Sequence, residues 1–237
     1  MATKPNVFSQ IMAVFTPVHR DGHKFVAIGV AVTVLLFMIW SGLGLLGALA
    51  TACIAFFFRD PERVSPAQDG LVIAPADGLV SRVEKTSPPA ELGLGSEPMT
   101  CVAIFLSLLD VHVCRTPVSG HVLASVHKEG MFHNAETPEA HSENERHSLL
   151  VETANGIKTG VVLIAGYAAR RIVTYVKVDD ALIAGERIGI IRFGSCVEIY
   201  LPITQAVLVA EGQRTIGGET VMADLSHPDQ IRQFRRN

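Results

Sequence analysis

The chain has 237 residues, 49% of them hydrophobic, with a formal net charge of -3 and a mean hydropathy of +0.34. That length holds one large or two small domains, and the charge excludes a general basic field for nucleic acid. The hydropathy is high for a soluble protein, and the excess is concentrated near the N-terminus. Within the first 24 residues, Val7, Phe8, Ile11, Met12, Val14 and Phe15 would line one face of a short helix suited to a membrane surface, which Pro17 would end. Phe25 to Phe58 then runs for 34 residues without Asp, Glu, Lys or Arg. As one helix it would be roughly 51 Å long, against a hydrocarbon core of about 30 Å. Ser41–Gly47, with three glycines, is the expected break, giving a tight hairpin of two short helices or a re-entrant anchor; the alternative is one long tilted helix. A cleaved signal peptide is disfavoured by the length of the run and the lack of a clear small-residue cleavage site. Cations flank both ends, Arg20 and Lys24 before, Arg59 and Arg63 after. A hairpin would place both flanks on the cytoplasmic face of the membrane, with Arg59 and Arg63 placed to meet lipid phosphates.

From Ser65 the pattern changes to short β-rich runs punctuated by Gly, Pro, Asp and Asn. Strands are expected at 71–74, 79–85, 101–107, 121–127, 149–152, 161–165, 172–178, 188–192, 197–201, 206–209 and 221–223. This predicts a mainly β domain, sandwich-like or barrel-like, over residues 65–237 behind an anchor of residues 1–64. Helical signal is confined to 166–171 and 228–234. Residues 128–147 read as a long polar loop. His127, His133, His141 and His147 fall there at spacings of six, eight and six, so they are expected to be exposed loop histidines, and no metal site is expected. Cys53, Cys101, Cys114 and Cys196 match no metal pattern and read as free thiols of a reducing compartment.

Four stretches carry candidate chemistry. Arg192–Glu198 sets Gly194-Ser195 between two strand-like segments, and a glycine ahead of a serine frees the backbone and leaves its carbonyl uncrowded. A turn or bulge is the plainer reading. Asp77 lies in an Asp-Gly pair, itself a turn signal. Leu109–Gly120 mixes Asp110, His112 and Arg115 with apolar neighbours, and Ser142–His147 is a run of polar residues.

Taken together, these stretches identify a family. FFFRDPER (56–63), APADG (74–78), LDVHVCRTPVSG (109–120), ENER (143–146), GYAARRIVTYV (166–176) and GERIGIIRFGSCVEIYLP (185–202) occur in order behind an apolar anchor. The chain thereby resembles phosphatidylserine decarboxylase proenzymes of the short membrane-anchored bacterial type, with a related archaeal enzyme acting on an ether-linked lipid. The resemblance implies self-cleavage between Gly194 and Ser195 into a β chain (1–194) and an α chain (195–237) that stay together as a heterodimer and pair further. The Ser195 hydroxyl would attack the Gly194 carbonyl, converting amide to ester. Elimination of that ester leaves a dehydroalanine, which rearranges and hydrolyses to a pyruvoyl group and ammonia. The pyruvoyl group of Ser195 is the implied cofactor, forming a Schiff base with the headgroup amine of a membrane phospholipid; no metal is implied.

The resemblance assigns Asp77 to the self-cleavage machinery and His112 to proton transfer. It also shows a departure. The longer bacterial enzymes carry a second histidine where this chain has Arg115, and an arginine is always protonated and no base. Either His112 serves both steps, or Asp77 activates Ser195 directly or through water; an imidazole with a pKa near 6.5 suits transfer both ways. Arg115 is then a candidate for phosphate or carboxylate binding. A competing, non-catalytic reading rests on residues 74–80 and 178–186, which resemble the paired hairpins of lipoyl-type domains. Such a domain needs a lysine at the hairpin tip, and here Lys177 precedes the turn.

Overall fold

The computed structural model describes residues 16–135, 137–167, 171–192, 195–227 and 234. The chain divides into two compact units, residues 1–62 and 63–237. The expected surface helix at 7–15 and the helix at 228–234 lie outside the described residues, apart from Phe234.

In the first unit a short 3-10 turn, Arg20–Gly22, leads into α1 (His23–Ile39), followed by α2 (Ser41–Phe57). They form an antiparallel hairpin, closed at its base by a bridge between Val18 and Arg59 and by hydrogen bonds from His19 N to Phe58 O and from Asp60 N to Pro17 O. The expected break at Ser41–Gly47 is corrected. The chain turns at Trp40 alone, which is extended (φ -162°, ψ 134°), and the glycines lie inside α2. They serve helix packing instead. A Cβ on Gly44 would fall 2.2 Å from the Phe37 ring, and one on Gly29 would fall 2.8 Å from Thr51 Oγ1. Small residues let the two backbones approach, and Thr33 and Thr51 hydrogen-bond across the seam at 3.1 Å. Many of the hairpin's large apolar side chains are exposed, including Leu35, Met38, Ile39, Leu45, Leu46 and Leu49. Arg20–Ile39 is long and apolar enough to cross a membrane, whereas α2 has only 17 residues. Helices apolar on all sides call for an apolar surrounding, which points to membrane association.

The second unit is mainly β. Its strands are β1 (Leu71–Ile73), β2 (Gly78–Thr86), β3 (Met99–Leu106), β4 (Val113–Arg115), β5 (Gly120–Lys128), β6 (Arg146–Glu152), β7 (Lys158–Ala165), β8 (Ile172–Thr174), β9 (Ala181–Leu182), β10 (Arg187–Ile191), β11 (Ser195–Leu201), β12 (Arg214–Thr215) and β13 (Val221–Asp224). Eight of them form one antiparallel sheet in the order β12-β2-β3-β11-β7-β6-β5-β9; a second sheet is β4-β10-β8, and β1 pairs with β13. Val197, Ile199 and Leu201 of β11 alternate into a large core with Cys114, Ile188 and Ile191 of the smaller sheet. The intervening Cys196 and Tyr200 enter a second core with Leu92, Cys101 and Ala103. β11 is therefore covered on both faces, and all seven of its residues are buried.

Residues 128–147 are more ordered than a polar loop. β5 extends to Lys128, β6 begins at Arg146, and a short helix, α3 (Pro138–Glu143), lies between them. The histidines there are not uniformly exposed: His147 is buried in β6, with Nε2 3.0 Å from Ser125 Oγ. Ala206–Val209 forms no strand; only Val207 bridges, to Ala223.

Candidate active site

Antiparallel pairing brings three distant segments to one end of the eight-stranded sheet. Ser195, the first residue of β11, is in register with Leu106 at the end of β3 and with Ala165 at the end of β7. β2 also runs antiparallel to β3, so Asp77, just before β2, lies at that same end. The segment leaving β3 there holds Asp110 and His112. Gly194, the other half of the expected cleavage bond, lies outside the described residues, as do Phe193 and Ala168–Arg170.

Ser195 is fully buried, and its Oγ has no hydrogen-bond partner among the described residues. Strand alternation turns the side chain toward the same core as Val197 and Ile199. A buried hydroxyl normally finds a partner, because leaving it unmatched costs about 1–3 kcal/mol. Such an exception calls for an explanation and makes Ser195 the candidate reactive group at this end of the sheet.

His112 is also fully buried. Its Nδ1 lies 3.0 Å from the Asp110 carbonyl oxygen. A carbonyl only accepts, so Nδ1 carries the proton, and in the neutral ring Nε2 is the basic nitrogen. The His112 carbonyl accepts from Ile191 N at 3.2 Å, tying this segment to the end of β10. Asp110, which the sequence reading did not single out as a site residue, holds the whole turn. Its Oδ2 accepts from Ser107 N at 2.9 Å and Ser107 Oγ at 2.7 Å, and its Oδ1 accepts from Arg214.

Asp77 accepts two hydrogen bonds from Arg63 Nη2, at 3.0 and 2.7 Å, and one from Gly217 N at 2.8 Å. Arg63, expected at a lipid phosphate, is thus bound to the carboxylate. The glycine after Asp77 answers a close approach, since a Cβ on Gly78 would fall 2.3 Å from Phe105 O. Arg115 is buried, donates from Nη1 to Gly185 O at 2.8 Å, and its backbone N donates to Pro75 O. It therefore braces the 75–77 segment from the small sheet. Next to it, burial pushes the Cys114 thiol up to about 12, with the Asp77 charge adding to the effect. Arg59 belongs to the first unit, where it donates to Phe56 O and lies over the Phe56 ring.

The opposite face of β11 holds a polar cluster absent from the sequence reading. Glu198 is 1% exposed. Its Oε1 lies 2.7 Å from both Arg82 Nη2 and His141 Nδ1, and its Oε2 accepts from Tyr200 OH at 2.7 Å. Burial, followed by the Glu198 charge, drives the Tyr200 hydroxyl far above its ordinary range. A carboxylate between Val197 and Ile199 in a strand was the available signal.

The phosphatidylserine decarboxylase family matches the chain over residues 50–223. The chain is 49% identical over 209 residues to a phosphatidylserine decarboxylase proenzyme of Ruegeria pomeroyi, covering 88% of this chain and 95% of that protein. It is 50% identical over 210 residues to the proenzyme of Cereibacter sphaeroides, covering 89% and 90% of the two chains. The proenzyme of Saccharopolyspora erythraea is likewise 50% identical over 210 residues, covering 89% of each chain. With more than half of its length matched, and with relatives at this identity along nearly their whole length, the chain belongs to the phosphatidylserine decarboxylase family.

Proposed function

We propose that this protein decarboxylates phosphatidylserine to phosphatidylethanolamine and carbon dioxide, after cutting its own backbone between Gly194 and Ser195. The observation that carries the reading is the buried Ser195 hydroxyl, without a partner among the described residues, at the end of the sheet that also holds His112 and Asp77. In the first reaction Ser195 Oγ attacks the Gly194 carbonyl, and a base takes its proton. His112 is better prepared for that than Asp77. Its Nδ1 proton is committed to the Asp110 carbonyl, which leaves Nε2 basic. The Asp77 carboxylate is already engaged by Arg63 and Gly217, so its part is to fix the 74–78 segment beside the site.

A pyruvoyl group derived from Ser195 would take a fully buried position, on the face of β11 that carries Val197 and Ile199 into the large core. When present, that group supplies a carbonyl that draws electrons from the bond to the departing carboxylate. The chain's own contributions are exclusion of water by the core around β11 and a proton held at His112 Nε2 for return to the headgroup carbon. In this reading the β chain (1–194) and α chain (195–237) remain one heterodimer. The apolar hairpin holds it to the cytoplasmic face of the membrane, and Arg59 beside Phe56 stands at the lipid interface.

Intact-mass spectrometry of the purified protein tests the reading. The expected result is two fragments of about 21 and about 5 kDa, from about 110 Da per residue, the smaller one lacking a free N-terminal amine. A single full-length mass with unmodified Ser195 would sink it.

A further inference from the structure

The turn that leaves β3 beside Ser195 has an unusual composition. Ser107-Leu108-Leu109-Asp110 closes with a hydrogen bond from Asp110 N to Ser107 O at 2.9 Å, and the Asp110 carboxylate locks it through Ser107 N and Oγ. The two central positions of such a turn ordinarily carry Gly, Asn, Asp or Pro. Here they carry leucines that are 55% and 72% exposed. A firmly stapled turn that holds two leucines in the open is not explained by folding, because exposing them stabilises nothing.

Other apolar side chains share this end of the sheet. Tyr167, 80% exposed, stands two residues past Ala165, which is in register with Ser195 on the other side from Leu106. With strands about 4.8 Å apart, the ends of β3 and β7 lie roughly 10 Å from each other across β11. Ile216, also exposed, follows Thr215, the register partner of Gly78. Cations accompany them. Arg214 is largely exposed beside Asp110, and Arg171 is exposed next to the end of β10. Leucines at a turn tip, a tyrosine and arginines around one opening fit the chemistry of a phospholipid surface, with acyl chains for the leucines, the interfacial belt for the tyrosine and anionic headgroups for the arginines.

We propose that the Ser107–Asp110 turn is a membrane probe: Leu108 and Leu109 enter the lipid surface and seat the Ser195 end of the sheet on the headgroups. The occupant of this apolar rim is the bilayer. The apolar hairpin of the first unit already commits the protein to lipid, and the probe adds a second contact, belonging to the β unit itself. The proposal rests on the reading that the substrate is a membrane lipid. Its role is to bring the headgroup to the site without drawing the whole lipid into solution.

The test uses the full chain in vesicles of phosphatidylcholine and phosphatidylglycerol, which contain no substrate. Trp40 is the single tryptophan, so Trp40→Phe gives a dark background for Leu109→Trp. A second variant, Ile183→Trp, reports from an exposed position next to β9, which pairs with the start of β5 at the far end of the sheet. The expected result is that the tryptophan introduced at 109 shifts to shorter wavelength and is quenched severalfold by lipids brominated on the acyl chain, while the one at 183 does neither. Equal, water-like emission from both positions overturns the proposal. So does burial at 109 that tracks protein concentration and ignores brominated lipid, which would make the rim an interface between copies of the chain.

A kinetic arm follows. Leu108→Asp with Leu109→Asp is expected to lower kcat/KM on vesicle-borne phosphatidylserine about tenfold relative to short-chain monomeric phosphatidylserine, from the apolar area withdrawn from lipid. Self-cleavage is expected to run to the same end point; an unchanged ratio counts against the probe. The fluorescence readout needs no turnover. A wild-type chain that neither cleaves nor decarboxylates would therefore overturn the functional reading and leave the docking result to be judged by itself.

Discussion

The two faces of β11 treat polar groups in opposite ways. On one face Ser195 Oγ is buried without a partner among the described residues. On the other, three residues along, the Glu198 carboxylate meets Arg82, His141 and Tyr200. Both are polar groups in a strand closed to solvent, and burial raises the cost of leaving either one unmatched. The contrast teaches that, on the proposed reading, the fold spends its partners on the group that must stay still and withholds them from the group that would react. A hydroxyl already donating to a carbonyl would be a poorer nucleophile, and an unpaired carboxylate would open the second core.

The largest effect expected from this contrast is at Ser195 itself. Ser195→Ala removes an unmatched hydroxyl, so the protein should stay folded while cleavage and decarboxylation are both abolished; mass spectrometry and carbon dioxide release from labelled substrate check this. Next comes His112→Gln, which keeps a hydrogen-bonding side chain but removes the basic nitrogen. Cleavage is expected to slow by about 10²- to 10⁴-fold, read as the time course of fragment appearance, with little change in thermal stability. Glu198→Ala should do the reverse. It leaves the Arg82 and His141 groups facing a hole, at a cost on the order of 3 kcal/mol, measured by denaturant unfolding, while the protein that does fold still cleaves at Ser195. If Glu198→Ala abolished cleavage in folded protein, the division between a reactive and a structural face would fail.

The smallest effect concerns His147, in the same sheet at β6. Burial, with His127 nearby, lowers its pKa to about 4. The unfolded chain therefore takes up the proton first, at about pH 6.5. Stability contributed by the neutral ring is present above that value and is lost as pH falls from about 6.5 toward about 4, by roughly 2 kcal/mol after allowance for partial solvent access. His147→Gln, which can still meet Ser125, should flatten that part of the stability profile.

Much of this was legible in the sequence because its signals were local. Short β-rich runs predicted ten strands that the structure contains, and an ordered set of motifs marked Ser195, Asp77 and His112. What escaped depended on partners far along the chain. β4, β9 and β12 have two or three residues each and exist only through β10, β5 and β2, too short for any periodicity. Arg63 reads as a lipid contact until folding sets it 2.7 Å from Asp77. The glycines of Ser41–Gly47 read as a break, whereas Gly44 fits under Phe37 in an unbroken helix, a distinction that only the opposing helix reveals. Glu198 stood in plain view between two apolar residues, but its three partners come from Arg82, His141 and Tyr200, on β2, α3 and β11.

If the chain is cut ahead of Ser195 as proposed, the register of β11 bears on what becomes of the protein. The small fragment would begin with a strand held between β3 and β7 from Ser195 to Tyr200, and it would also supply β12 and β13 to other partners. Folding is then a one-body process before the cut and a two-body process after it. The uncut chain would refold independently of dilution, whereas a cut pair, once unfolded, would have to meet again in solution and rebuild the centre of a sheet from separate pieces. Its apparent stability becomes dependent on concentration, and its lifetime depends on the rate at which the central strand leaves. The proposed maturation would thus trade reversibility for activity, since only the uncut chain refolds as a single body.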